Sequence, residues 1–114
     1  MAITLKPHVS GDTWRGLSMT ITLNGVPMNL TGAVIAMQMR ALPASAQPLY
    51  TWRSDGADPQ IYITDPLAGT VSILKRIITG VGNVAFDIQV TDALGDVRTV
   101  VSGILPMIQD VTRV

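Results

Sequence analysis

The chain has 114 residues, 47% of them hydrophobic, only 14% charged, and no formal net charge. Charge at this level, against roughly 25% in ordinary usage, leaves Ser, Thr, Gln, Gly or partner molecules to cover the surface of a small domain. Its eight cations are scattered, with Lys75-Arg76 the only adjacent pair, which excludes a basic stripe for nucleic acid and a polybasic anchor for an anionic membrane.

One domain over residues 1–114 is expected, and it is long enough to build a core without staples. The absence of cysteine removes disulfides, thiol nucleophiles and Cys-based metal sites. The richest apolar run, VVSGILPMI at 100–108, falls short of the ~18 residues of a membrane helix. The opening MAITLKPHVSGD has no charged start followed by an apolar stretch, so no signal peptide is expected.

In chain order the dominant period is two, interrupted by Gly, Pro, Asn and Asp. Residues 2–9 place Ile3 and Leu5 on one face, and Pro7 suits an edge strand or a strand end. GDTWRG at 11–16 is a turn leading into RGLSMTITL, whose Leu17, Met19, Ile21 and Leu23 are expected inward and Ser18, Thr20 and Thr22 outward. Asn24-Gly25 supplies the positive φ angles of a tight hairpin. In TGAVIAMQMR, Ala33, Ile35, Met37 and Met39 share one face, and Gln38 and Arg40 take the other. ALPASAQP at 41–48 reads as a loop, LYTWR at 49–53 and QIYIT at 60–64 as strands, and SDGADP and DPLAG as turns. TVSILKRI at 70–77 reads as one strand, with Val71, Ile73 and Lys75 against Ser72, Leu74 and Arg76. The last stretch, 97–113, is expected to break at Gly103 and Pro106. About eight or nine short strands without alternating helices predict an antiparallel sandwich or barrel.

FDIQVTDALGDVRT at 86–99 puts three carboxylates, Asp87, Asp92 and Asp96, within eleven positions. A hairpin accounts for them better than a cation loop, which needs clustered oxygen ligands. A four-residue loop, Asp92-Ala93-Leu94-Gly95, pairs Thr91 with Asp96, Val90 with Val97, Ile88 with Thr99, Phe86 with Val101 and Gln89 with Arg98. Asp87 then lies one diagonal step from Arg98. The outer face formed by Asp87, Gln89, Arg98 and Val100 becomes a candidate interface, and Asp92 and Gly95 become turn residues.

The other side chains carry little chemistry. The acidic residues are all Asp, and Asp55 and Asp58 lack the D-x-D-x-D spacing of a calcium loop. His8 is the only histidine; no serine lies in a G-x-S-x-G elbow, and the expected place for His8 is solvent or an interface. Trp14 and Arg15 are either an interface pair or, for Trp14, the cap at the end of the core. Tyr50, Trp52 and Tyr62 form either core and rim packing or an aromatic platform for a glycan. No catalytic, cofactor or metal site and no small-molecule substrate is expected.

The order of features resembles a family. "G-D-T" at 11–13 precedes an amphipathic strand, "L-T-G-A" at 30–33 opens a strand ending "M-Q-M-R", "F-D-I-Q-V-T-D…G" follows at 86–95, and "D-V-T-R" closes at 110–113. This is similar to the small β-sandwich modules of tailed-phage structural proteins, especially the N-terminal domain of phage baseplate upper proteins. The likeness spans nearly the whole chain, except that residues 41–83 match only in strand spacing. It implies an antiparallel immunoglobulin-like β-sandwich of about eight strands. It also implies a non-enzymatic virion building block, assembled in the bacterial cytoplasm, whose partners are itself and other virion structural proteins. Baseplate upper proteins continue into further domains, whereas this sequence stops at Val114. The expectation is therefore a stand-alone tail, baseplate or collar adaptor or a decoration subunit, with MAITL and QDVTRV as docking arms. A carbohydrate-binding sandwich is the alternative, and a small hydrolase built on Asp residues and His8 the third.

Overall fold

The computed structural model of the protein describes residues 2–41, 48–79 and 82–108. The core of the expected loop at 41–48 and the C-terminal arm QDVTRV at 109–114 lie outside the described residues. Among those described there is strand and turn but no helix, as the period-two pattern predicts. The N-terminal third holds β1 (Ala2–Thr4), β2 (His8–Val9), β3 (Thr13–Trp14), β4 (Leu17–Thr20), β5 (Thr22–Leu23) and β6 (Val26–Pro27). Next come β7 (Val34–Arg40), β8 (Tyr50–Arg53), β9 (Ile61–Asp65), β10 (Thr70–Ile73) and β11 (Arg76–Ile77). Two long strands follow, β12 (Asn83–Thr91) and β13 (Val97–Ile108).

Two sheets enclose one core. The larger has the order β1-β13-β12-β7-β8, with β2 continuing the line of β1 along β13; the smaller is β4-β10-β9. Ribbons β3–β11 and β5–β6 are short extensions. The pairing is antiparallel except at the N-terminus, where β1 and β2 run parallel to β13. Strict alternation decides what goes inside. Ile35, Met37 and Met39 on β7, with Val84, Phe86, Ile88 and Val90 on β12, are buried, and their sequence neighbours are half-buried or exposed. Ile61, Val71 and Ile73 of the small sheet meet them, with Trp52 enclosed between. Each such aliphatic side chain stabilises by roughly 1.5–3 kcal/mol on full burial.

The expected register of the 86–99 hairpin is corrected. Thr91 pairs with Val97, Val90 with Arg98 and Gln89 with Thr99, one residue away from the alternation-based pairing. The cause is loop length. Asp92 and Asp96 pair with each other (Asp92 N–H to Asp96 C=O, 2.9 Å), leaving a three-residue loop closed by Gly95 at φ +91°. A bulge at Val100 then adds a second residue, so Ile88 meets Val101 and Phe86 meets Gly103. Because the total displacement is two, Val101 and Leu105 still reach the core.

Other expectations also move. TVSILKRI is not one strand: it leaves the small sheet after Ile73, and Arg76-Ile77 pair with Trp14 and Thr13. Leu23 is not inward, because the β5–β6 hairpin projects beyond the core and leaves it 39% exposed. That hairpin has the expected Asn24-Gly25 turn, with φ of 54° and 78°.

Gly103 and Pro106 do not interrupt β13. Leu5 N–H donates to Ile104 C=O on one side and Met107 N–H to Gly82 C=O on the other, so the proline nitrogen faces β1 and β2. It falls where that line is broken at residues 5–7, a position that demands no donor. A Cβ on Gly103 would lie 1.9 Å from the Ile3 carbonyl oxygen and 3.0 Å from the Phe86 ring. Glycine here permits the close approach of β1.

Candidate interaction surface

The side chains singled out in the sequence separate into core and surface. Trp14 is core: it is 8% exposed and packs edge-on against Trp52, centroids 5.5 Å apart at 67°. The sequence offered it as an interface residue or a cap; the fold makes it a cap, because its strand pairs with Arg76 and turns the indole inward. Arg15, its neighbour, is exposed.

Tyr50, Trp52 and Tyr62 form no common platform. Trp52 is fully buried, and its Nε1–H donates to Leu74 C=O at 3.2 Å. Tyr50 lies half-buried beside it, while Tyr62 is 48% exposed on the outer face of the other sheet. The Arg76 guanidinium stacks 5.0 Å from the Tyr50 ring centroid and 5.2 Å from that of Trp52, and Nη1 donates to Thr51 C=O. Arg76 thereby covers part of the open edge of β8. The Tyr50 hydroxyl bonds the Thr79 hydroxyl at 3.1 Å and accepts from Thr79 N–H at 3.0 Å. These two contacts, with Arg76 nearby, hold the phenol below the ordinary tyrosine range despite its burial.

The expected outer face of Asp87, Gln89, Arg98 and Val100 is not assembled. Asp87 pairs with Gln38 and Ser102, and Gln89 with Ala36 and Thr99. Val100, the bulge residue, packs against the core. Arg98 lies opposite Val90 on the inner side and reaches the rim of the cleft beside residues 19–25. The one-residue change at the turn and the bulge at Val100 together account for this. Around Asp87 the outer face is built from Gln38, Ala85, Ser102 and Arg40, whose guanidinium donates to Gln38 Oε1 at 2.6 Å.

Asp92 is a turn residue, as expected. Its Oδ1 accepts from Leu94 N–H at 2.9 Å and Asp96 N–H at 3.0 Å. Asp55 pairs with Arg53 at 2.8 Å, which keeps its carboxyl below the usual range. His8, expected in solvent or at an interface, is buried, which corrects the first of these, and its Nε2 contacts the Asp12 backbone oxygen at 3.0 Å. That contact to a main-chain carbonyl fixes the orientation of the imidazole ring. Among the described residues no three His or Asp side chains gather into a metal-binding group.

Two features escaped the sequence reading. The first is apolar exposure at turns and strand starts: Leu94 is 89% exposed, Leu67 72%, Val26 63% and Val97 60%. Leu94 and Leu67 stand in positions where turn chemistry favours polar residues, and that signal was visible. The second is a groove of about 410 Å³ between residues 5–8 and 13–17, lined by Leu5, Pro7, Trp14 and Leu17 together with Lys6, His8, Thr13 and Arg15. It joins segments that are paired through β13, β11 and β10 and not to each other's strands, so no local pattern announces it.

Comparison with models of protein families, with curated proteins and with solved structures finds no match.

Proposed function

We propose that this chain is a non-enzymatic structural subunit of a tailed-phage or prophage-derived particle, a tail, baseplate or collar adaptor or a decoration protein. It works through contacts between β-sandwich subunits. The observation that carries the assembly role is the exposure of Leu94 and Leu67 on turns and of Val26 and Val97 at strand starts; a partner that covered them would remove apolar surface from water. The low charge of the whole chain points the same way. The phage setting rests on the family resemblance of the "G-D-T", "L-T-G-A" and "F-D-I-Q-V-T-D" segments.

A carbohydrate-binding module is the second reading. It now rests on Tyr62, exposed on a face shared with Ser18, Thr20, Thr64 and Ser72. The test is the solution mass of the purified chain, followed by pull-down with co-encoded structural proteins. Self-association or capture of one of those proteins is expected. A strict monomer that captures none of them overturns the proposal, and glycan binding lost in Tyr62→Ala would favour the second reading.

A further inference from the structure

We propose that the β12–β13 turn of one copy seats Leu94 in the groove between Lys6 and Arg15 of a second copy, joining subunits head to tail. This rests on the reading that the chain works through contacts between subunits, and it names the surfaces. β13 has twelve residues, which at about 3.3 Å each span roughly 40 Å, most of the molecule's 47 Å length. Its two ends therefore mark the two ends of the molecule, and they differ.

At the first end stands the turn Asp92-Ala93-Leu94-Gly95-Asp96. Leu94 projects almost wholly into solvent between two carboxylates. The Asp92 contacts to Leu94 and Asp96 N–H groups set the loop in one shape without the partner. The turn is braced from behind, where Gly32 approaches Ala93 so closely that a Cβ would lie 3.2 Å from the alanine methyl. Asp65 belongs to the same end, since Pro66 C=O accepts from Leu30 N–H, two residues from Gly32.

At the other end, His8 and Val9 pair with Met107 and Ile108, and Ile78 bonds to Gly11 and Asp12. Among the described residues, Lys6, Arg15, Lys75 and Arg76 are exposed there, with Asp12 the acidic residue beside them. The groove is lined by apolar side chains together with Lys6 and Arg15, and the turn carries an exposed leucine between Asp92 and Asp96, with Arg98 two residues beyond. At about 410 Å³ the groove has room for a leucine side chain. Apolar fit and opposite charge thus coincide on two different surfaces of one chain. Such a heterologous contact leaves one free head and one free tail in every dimer, so it repeats into rings or filaments; the charges set register and approach.

The test uses complementation between two variants of the full chain. Leu94→Asn/Asp96→Asn disables the head and Lys6→Glu/Arg15→Glu the tail; all four positions are exposed, and circular dichroism verifies folding. Arg15→Glu alone replaces the second variant if the double change fails to fold. The wild-type mass is expected to rise with concentration. It should fall as salt increases from about 0.05 M to about 1 M, where the screening length is about 3 Å. Each variant alone should stay at the 12.1 kDa monomer, and an equal mixture should form a dimer and stop there, since one good head meets one good tail.

Variants that assemble like the wild type overturn this contact while leaving a structural role through other surfaces. A mixture that stays monomeric also overturns it. A wild-type chain that is monomeric throughout yet captures a co-encoded structural protein overturns the head-to-tail contact and preserves the proposed function.

Discussion

Asp92 shows how a carboxylate that resembles part of a ligand site can be spent on the backbone. Its Oδ1 satisfies two turn N–H groups that would otherwise be left to water. Asp92→Ala should lower stability in urea unfolding by about 1–2 kcal/mol, and Asp92→Asn, which keeps the accepting oxygen, should recover most of it. Equal stability of Asp92→Ala and wild type would contradict this role. The turn role was legible from Asp and Gly at the ends of a short interval between two alternating strands. The loop length was not, because a three-residue loop with a later bulge and a four-residue loop without one both keep Val101 on the core face. Parity is preserved, so hydrophobic alternation cannot tell the two apart. The same ambiguity misplaced Arg98 beside Asp87.

At the scale of the element, β13 is the spine of the large sheet, with β12 on one side and β1 and β2 on the other. Its Gly103 and Pro106 read as breakers when the strand is considered alone. Both make sense once the parallel N-terminal strands are in place: glycine admits the Ile3 backbone, and proline sits at the gap between β1 and β2. Gly103→Ala should cost about 2 kcal/mol through overpacking. Hydrogen exchange should show where: the Leu5 amide should lose protection first, while amides shared by β12 and β7 stay protected. Unchanged protection at Leu5 would contradict the close-approach account. Strands β7 and β12 were legible almost residue by residue, since both alternate between core and surface. The crossing of 74–77 to a second ribbon was not, because its signal lies in the distant partner, Trp14.

For the whole molecule, the all-β sandwich was legible from strand spacing and the lack of helical periodicity. The surfaces were legible only in part. Aromatic residues attract attention as binding groups, yet in a 114-residue chain with few of them the core needs Trp14 and Trp52 for volume. The groove beside Lys6 and Arg15 depends on packing between segments, and no local motif encodes it. Among the described residues, the surface carries Leu94 and Leu67 on exposed turns beside Asp92, Asp96 and Arg98 at one end, and a groove lined in part by Lys6 and Arg15 at the other. The proposed function requires that a neighbouring subunit cover part of that surface. The most direct test of that central claim is quantitative mass spectrometry of particles purified from cells that produce the chain. The account predicts that the protein co-purifies with the particles at a fixed copy number relative to their other structural proteins. Its absence from intact particles, in a preparation where it is abundant in the soluble lysate, would contradict the account.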